Sequence, residues 1–230
     1  MRTVIVMTYF NRQDQLTRTL ESFRQYDPND FCVIVVDDGS KEVPAVQNYP
    51  FDVKVLNVKN KSWYQGDPAW NIGFAEALKL NPDTIILQNA ECYHAGDILE
   101  YAKEHLTDEN YISFGCYSLG KGDPFEVRNN RHITFDGENA WYNHPEYWPC
   151  GYHFCSAIKA KHLKTLNGFD ERLSFGMGYD DDDFLRRVKL LGLKVEITAD
   201  PFVYHQWHYG ERLPNYQELL RNNAFLYGRI

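Results

Sequence analysis

Residues 3–8 (TVIVMT) and 31–37 (FCVIVVD) decide the fold. Both are short apolar runs rich in β-branched side chains, the composition of strands buried on both faces, as in parallel sheets. Between them Leu16, Leu20 and Phe23 recur at i, i+4 and i+7, one face of a helix over 11–25. The second run closes on Asp38-Gly39-Ser40, a turn signal. Outward from this pair the alternation continues. A strand fits 53–57. Asp67-Pro68 reads as a helix N-cap followed by proline at the first helical position, opening a helix to about Lys79. Asn81-Pro82-Asp83 is a turn, 84–88 (TIILQ) a strand, 97–105 a helix and 111–117 a strand. This β-α-β-α repeat predicts an α/β fold, a mostly parallel mixed sheet flanked by helices. In such sheets ligands sit beyond the carboxyl ends of the strands.

The pattern weakens over 118–155, which is rich in Gly, Pro, Asn and aromatics. A structureless stretch of that length inside a domain is usually functional. It reads as an acceptor-side loop region in which Trp141, Tyr142, Tyr147 and Trp148 would be costly to leave in water. A helix near 160–166, the turn Gly168-Phe169-Asp170-Glu171, a helix from about 180 to 191 stopped by Gly192, and a strand at 195–198 follow. The expected organisation is one domain with a donor-binding half at 1–117 and an acceptor-binding, catalytic half at 118–230.

Composition narrows the function. A chain of 230 residues with 43% hydrophobic side chains can bury a core without disulfides. Its formal charge of −8 disfavours nucleic acid as a partner, since phosphate backbones need clustered Lys and Arg. One bound nucleotide stays compatible, because a metal ion can neutralise it. Aromatics reach 15%, with many Tyr and Trp side chains, which suit sugar faces as well as an ordinary core. No apolar run reaches spanning length, and Met1 leads straight into a strand pattern, so no transmembrane segment or signal peptide is expected. Cys32, Cys92, Cys116, Cys150 and Cys155 form no CxxC pair and read as reduced thiols of a soluble, cytoplasmic protein. A zinc site on Cys150, His153 and Cys155 is a minor alternative.

Four constellations fall where the fold would place ligands. The first strand ends in Thr8-Tyr9-Phe10-Asn11-Arg12 and the second in Asp37-Asp38. An Asp there can accept from a base ring N–H and an aromatic can stack on the base, or Asp38 and Ser40 simply make the turn. Gln88-Asn89-Ala90-Glu91 emerges from a buried strand and offers hard oxygen ligands to a divalent metal. Asp180-Asp181-Asp182-Asp183 opens a helix, where the dipole tolerates acids. At about 100° per residue they cannot all cap, so one could serve as general base. Tyr204-His205-Gln206-Trp207-His208 offers two imidazoles to a metal. No GxGxxG follows the first strand and no GxxxxGKS/T occurs, so a glycine loop does not cradle the phosphates.

VIVMTYFNR at 4–12, VIVVDDGS at 33–40, AWNIGFAEAL at 69–78 and GFDERLSFGMGYDDDDFLRR at 168–187 together resemble a family 2-type glycosyltransferase of the GT-A fold, Rossmann-like and nucleotide-sugar-binding. The last segment is also similar to the carboxyl-terminal motif of the β-1,4-galactosyltransferase group. The resemblance implies that Thr8, Tyr9 and Asn11 line the nucleotide pocket and that Asp37 or Asp38 contacts the uracil of a UDP-sugar. Asn71 matches the family's Arg-Asn-x-Gly segment, with Trp70 where Arg is usual. Asn89-Ala90-Glu91 stands at its Asp-x-Asp position, with Asn replacing the first Asp. The family's acidic pair falls on Asp180 and Asp181, with Asp181 as catalytic base, and His205 or His208 completes the metal site with Glu91.

The implied reaction is metal-assisted, inverting transfer of a sugar from a UDP-sugar to a hydroxyl of a saccharide or glycan acceptor, with Mn²⁺ or Mg²⁺ as cofactor, in glycan biosynthesis. A catalytically silent sugar-binding module is the alternative. A nucleotidyltransferase would share the fold but should carry a Gly-rich basic loop after the first strand.

Overall fold

The computed structural model of the chain describes residues 2–46, 48–121, 141–210 and 213–229. Its strands are β1 (Thr3–Tyr9), β2 (Phe31–Asp37), β3 (Asp52–Asn57), β4 (Thr84–Asn89), β5 (Cys92–Ala95), β6 (Asn110–Ser118), β7 (Trp141–Asn143), β8 (Cys155–Lys159) and β9 (Lys194–His205). Its helices are α1 (Gln13–Ser22), α2 (Asp67–Leu78), α3 (Ile98–His105), α4 (Ala160–Leu166), α5 (Asp180–Leu190) and α6 (Tyr216–Tyr227). The strands form one sheet in the order β3-β2-β1-β4-β8-β6-β9-β5, with β7 paired to β6.

The first four strands are mutually parallel, with Thr8 opposite Val36 on one side and Asn89 on the other. Period-two alternation splits their side chains between two cores. Ile5, Met7 and Tyr9 join Leu16, Leu20 and Phe23 of the α1 side. Val4 and Val6 join Ala69, Trp70 and Phe74 of α2 and Phe184 and Val188 of α5. The helices therefore cover both faces, as the apolar runs require.

Several elements were not legible in sequence. β5, β7, β8 and α6 lack the length or periodicity that marks an isolated element. β8 inserts antiparallel between β4 and β6, so strands from both sides of the 117/118 division share the sheet. β9 runs on to His205 instead of ending at 198, because it pairs in parallel with all of β6 through one register shift. Of the stretch expected to lack regular structure, 122–140 lies outside the described residues, whereas 141–155 supplies β7 and the start of β8. Only Trp141 of its four expected aromatic anchors is buried, packed against Phe202 and Tyr117. Tyr142, Tyr147 and Trp148 are exposed. Among the described residues no helix is long and apolar enough to cross a membrane.

Gly73 sets how closely α2 approaches the sheet. A Cβ at this position would lie 2.6 Å from Val6 Cγ1 and 2.9 Å from Val36 Cγ2. Gly73→Ala should therefore overpack this interface and cost about 1–3 kcal/mol, read as a lower urea midpoint at unchanged slope. An unchanged midpoint would mean that the two valines give way freely.

Candidate active site at the carboxyl ends of the strands

A cleft of about 800 Å³ opens beyond the carboxyl ends of β1 and β2. Thr8, Tyr9 and Asn11 reach its wall, as do Phe10, Arg12 and Asp38. Tyr9 also packs into the α1-side core, so Phe10 offers the freer ring, with Lys61 Nζ 4.8 Å from its centroid. Asn11 takes the left-handed conformation that Asn tolerates, at φ 51°. Its Oδ1 accepts from Lys41 N–H and its own N–H donates to Ser40 Oγ, tying the end of β1 to the turn after β2.

The two aspartates of that turn do different work. Asp37 is fully buried; its oxygens accept from Ser40 N–H at 3.0 Å and from the Asn57 amide at 2.8 Å. It holds the turn and β3, and it does not line the cleft. Asp38 does line it, accepting from Lys61 Nζ at 2.6 Å and Trp63 Nε1 at 2.8 Å. Burial raises its carboxyl pKa despite the Lys61 charge and the Trp63 hydrogen bond.

Glu91 lies in the tight turn between β4 and β5. β5 pairs antiparallel with β9, Cys92 opposite His205, and Gln206 N–H donates to Glu91 O. One strand pairing thus brings together residues far apart in sequence. His205 Nε2 and His208 Nε2 stand 3.3 and 3.4 Å from Glu91 Oε1. The Gln206 amide anchors this segment to α1 through Gln15 O and Thr19 Oγ1. Glu91 is 3% exposed, and its Oε2 has no hydrogen-bond partner among the described residues. Burial alone would raise its pKa, but His205, His208 and Arg12 outweigh it and hold the carboxyl well below the usual range. A carboxylate and two imidazoles within 4.8 Å of one another, with a buried lone-pair oxygen to spare, fit a divalent cation such as Mn²⁺. Asn89, half-buried, ends β4 beside Thr8.

The cysteines form no comparable site. Cys155 Sγ lies against Gln88 and His94, whereas His153 pairs with Asp181, so Cys150, His153 and Cys155 do not cluster. All five thiols are free.

The acidic run gives each member its own environment. Tyr179, not an aspartate, is the N-cap residue of α5. Asp183, buried, pairs with Arg186 at 2.8 Å and Arg187 at 2.7 Å. Asp182 Oδ1 accepts from Tyr152 OH at 2.5 Å. Asp181 Oδ1 lies 2.7 Å from His153 Nδ1 and keeps one-third of its side chain exposed. Burial of His153 lowers its pKa, but the Asp181 and Asp180 charges prevail and raise it. Asp180 is pushed up to about 6 by burial and by Asp181. The cleft wall includes Met177 in the turn leading to these acids.

Two side chains without any sequence signature position that turn. Gln65 Oε1 accepts from Gly178 N–H, and Asn223 Nδ2 donates to Leu173 O and Gly178 O, both at 2.8 Å. Asn71 acts likewise rather than lining the cleft. Its Oδ1 accepts from Phe169 N–H at 2.8 Å, and its Nδ2 donates to Phe169 O and Glu171. It ties α2 to the segment that leads into α5.

Asp67 departs from the sequence reading. Gly66 is the N-cap and Asp67 the first helical residue, so its carboxyl does not cap. It is 0% exposed and neither oxygen has a hydrogen-bond partner. Burial, and then the charges of Asp180 and Asp181, push its pKa up to about 9. A carboxyl whose folded pKa exceeds its unfolded value binds more protons when folded, so stability falls as pH rises between the two. The window here runs from about 4, the unfolded value, to about 9. Asp67→Asn should flatten the loss of melting temperature between pH 5 and pH 8, both being round values inside about that window. A variant that loses stability with pH as the wild type does would place the titration elsewhere.

Comparison with known proteins places the chain in a family. The family model of glycosyl transferase family 2 matches residues 4–166, and that of the N-terminal domain of galactosyltransferase matches residues 138–209. Beta-1,4-galactosyltransferase 5 of Danio rerio is 27% identical over 156 residues, or 66% of this chain. The chain spans about a third of that relative, 34% of its length. S. aureus TarS 1–349 in complex with UDP-GlcNAc superposes with a TM-score of 0.67 at 15% identity, over 98% of this chain and 66% of that one. The mannosyltransferase PcManGT from Pyrobaculum calidifontis, in complex with GDP-Man and Mn²⁺, gives a TM-score of 0.58 at 14% identity, over 98% and 69% of the two chains. With the family model covering most of its length and the sheet built in the same way, the chain belongs to glycosyl transferase family 2 and has the GT-A fold.

Proposed function

We propose that the chain transfers a sugar from a UDP-sugar to a hydroxyl of a saccharide acceptor, with inversion and with the help of Mn²⁺ or Mg²⁺. The observation that carries this reading is the convergence of Glu91, His205 and His208 beside the cleft that Thr8, Phe10 and Asp38 line. A diphosphate needs a compact positive charge, and a uracil needs an acceptor and a flat ring. The cleft offers a site for the first and supplies the second. The complexes of TarS with UDP-GlcNAc and of PcManGT with GDP-Man and Mn²⁺ support a nucleotide-sugar donor and a metal.

In this reading Asp38 accepts from the base and Phe10 packs against it. Glu91, His205 and His208 would hold the cation, which would stabilise charge on the departing diphosphate. Asp181 takes the proton of the attacking hydroxyl. His153 at 2.7 Å orients that carboxylate. Asp67 and Asp180 are more deeply buried, with pKa values pushed up to about 9 and about 6, whereas Asp181 keeps one-third of its side chain exposed. A single displacement of this kind inverts the anomeric carbon.

Calorimetry of UDP in Mn²⁺ and in EDTA tests the donor and metal together. Binding should weaken at least tenfold in EDTA, and Asp38→Ala should cost a further 1–3 kcal/mol or so. Equal affinities in both media would remove the metal from the reading. Asp181→Asn should lower turnover about 10²–10⁴-fold with UDP affinity retained. If Asp180→Asn abolishes turnover while Asp181→Asn does not, the base is Asp180. A protein that binds UDP-sugar, yet neither transfers nor hydrolyses it, would be the silent sugar-binding module.

A further inference from the structure

We propose that Arg12 is an exchangeable counter-cation of the Glu91 site, which it neutralises in the empty protein and leaves for the donor diphosphate when a divalent cation binds. The inference rests on the metal reading above and adds a residue outside the family's metal set. Arg12 Nη1 lies 2.5 Å from Glu91 Oε1, the same oxygen that His205 Nε2 and His208 Nε2 face. A cation bound to both imidazoles and to this oxygen would compete with the guanidinium for it. Two positive groups cannot share one carboxylate oxygen at contact distance in a site this buried without strong repulsion.

Arg12 is built to move. It is the N-cap residue of α1, with φ −134° and ψ 48°, outside both β1 and the helix. Its side chain is 29% exposed and reaches the cleft wall, whereas Glu91 is 3% exposed. Among the described residues the cleft wall holds one other permanently charged cation, Lys61, and that ammonium is engaged by Asp38 at 2.6 Å. A diphosphate arriving beside Glu91 therefore meets Arg12 as its available guanidinium, whose planar fork suits phosphate oxygens.

The charge balance makes the exchange coupled. With Arg12 in place Glu91 is neutralised and a free ion gains little. With the diphosphate present, the guanidinium has a second anion to pair with, and Glu91 is released to the metal. Binding of metal and nucleotide should then reinforce each other, and by linkage the effect is reciprocal.

The test is calorimetric titration of Mn²⁺ alone, and of UDP at saturating Mn²⁺, on wild type, Arg12→Gln, Arg12→Lys and Glu91→Gln. Arg12→Gln should bind Mn²⁺ alone at least about fivefold more tightly and UDP at least about fivefold more weakly, the signature of a lost competing charge. Arg12→Lys, which keeps the charge, should bind Mn²⁺ much as the wild type does. Unchanged or weaker Mn²⁺ binding in Arg12→Gln, with Glu91→Gln losing it, overturns the exchange and leaves the metal site standing. Equal tightening in Arg12→Lys also overturns it, by assigning the effect to bulk. If Glu91→Gln binds Mn²⁺ as the wild type does, the metal reading itself fails and takes this proposal with it. Should Arg12→Gln not fold, nitrogen-15 NMR of the wild-type Arg12 guanidinium on adding Mg²⁺ and UDP decides, with unmoved resonances overturning the proposal.

Discussion

A strand covered on both faces can hold no charged side chain along its length, and β1, β2 and β4 hold none before their final residues. Chemistry can begin only where these strands run out. Because β2, β1 and β4 are parallel neighbours, they run out on the same side. Thr8, Asp38 and Glu91 therefore arrive together at one edge, and every further part of the site is brought to that edge by pairing or packing. Gly73 lets α2 approach β1 and β2. Asn71 on the same helix then holds Phe169 and, through it, the turn leading to α5.

The site is crowded with carboxylates, and what distinguishes them is the partner each finds. Asp37 and Asp183 are satisfied by a backbone N–H and an amide, and by two guanidinium groups, respectively, and both are structural. Asp38 and Glu91 pair with Lys61 and Arg12, both of which reach the cleft wall. Asp67 and Asp180 lack a neutralising ion pair among the described residues and respond by holding their protons more tightly. Asp181 lies between these extremes, partly exposed and paired with a buried imidazole. Burial and the nearest cation, more than residue type, give these carboxylates their different environments.

Much of this architecture is written in local pattern. The apolar runs of β1, β2 and β4 and the acidic opening of α5 are all readable within a window of ten residues or so, because pleat and helix periods act over that range. So are the segments whose combination marks the family. Short pieces such as β5 and β8 carry too few residues to announce a period. β9 looks short because its second half pairs beyond an irregularity.

What the amino-acid sequence determined by itself is the α/β class and the strand ends where the cleft opens; family resemblance added Glu91, Asp181 and His205 or His208 as candidates. Only the tertiary structure decided which of them meet. The antiparallel pairing of β5 with β9 sets Glu91 against two histidines and leaves Arg12 on the same oxygen. The packing of α2 buries Asp67 with no hydrogen-bond partner among the described residues and turns Asn71 from the cleft to the Phe169 backbone. Local pattern encodes how a segment folds and which face it buries. It does not encode which distant segment it meets, and a carboxylate's protonation and role depend on that neighbour.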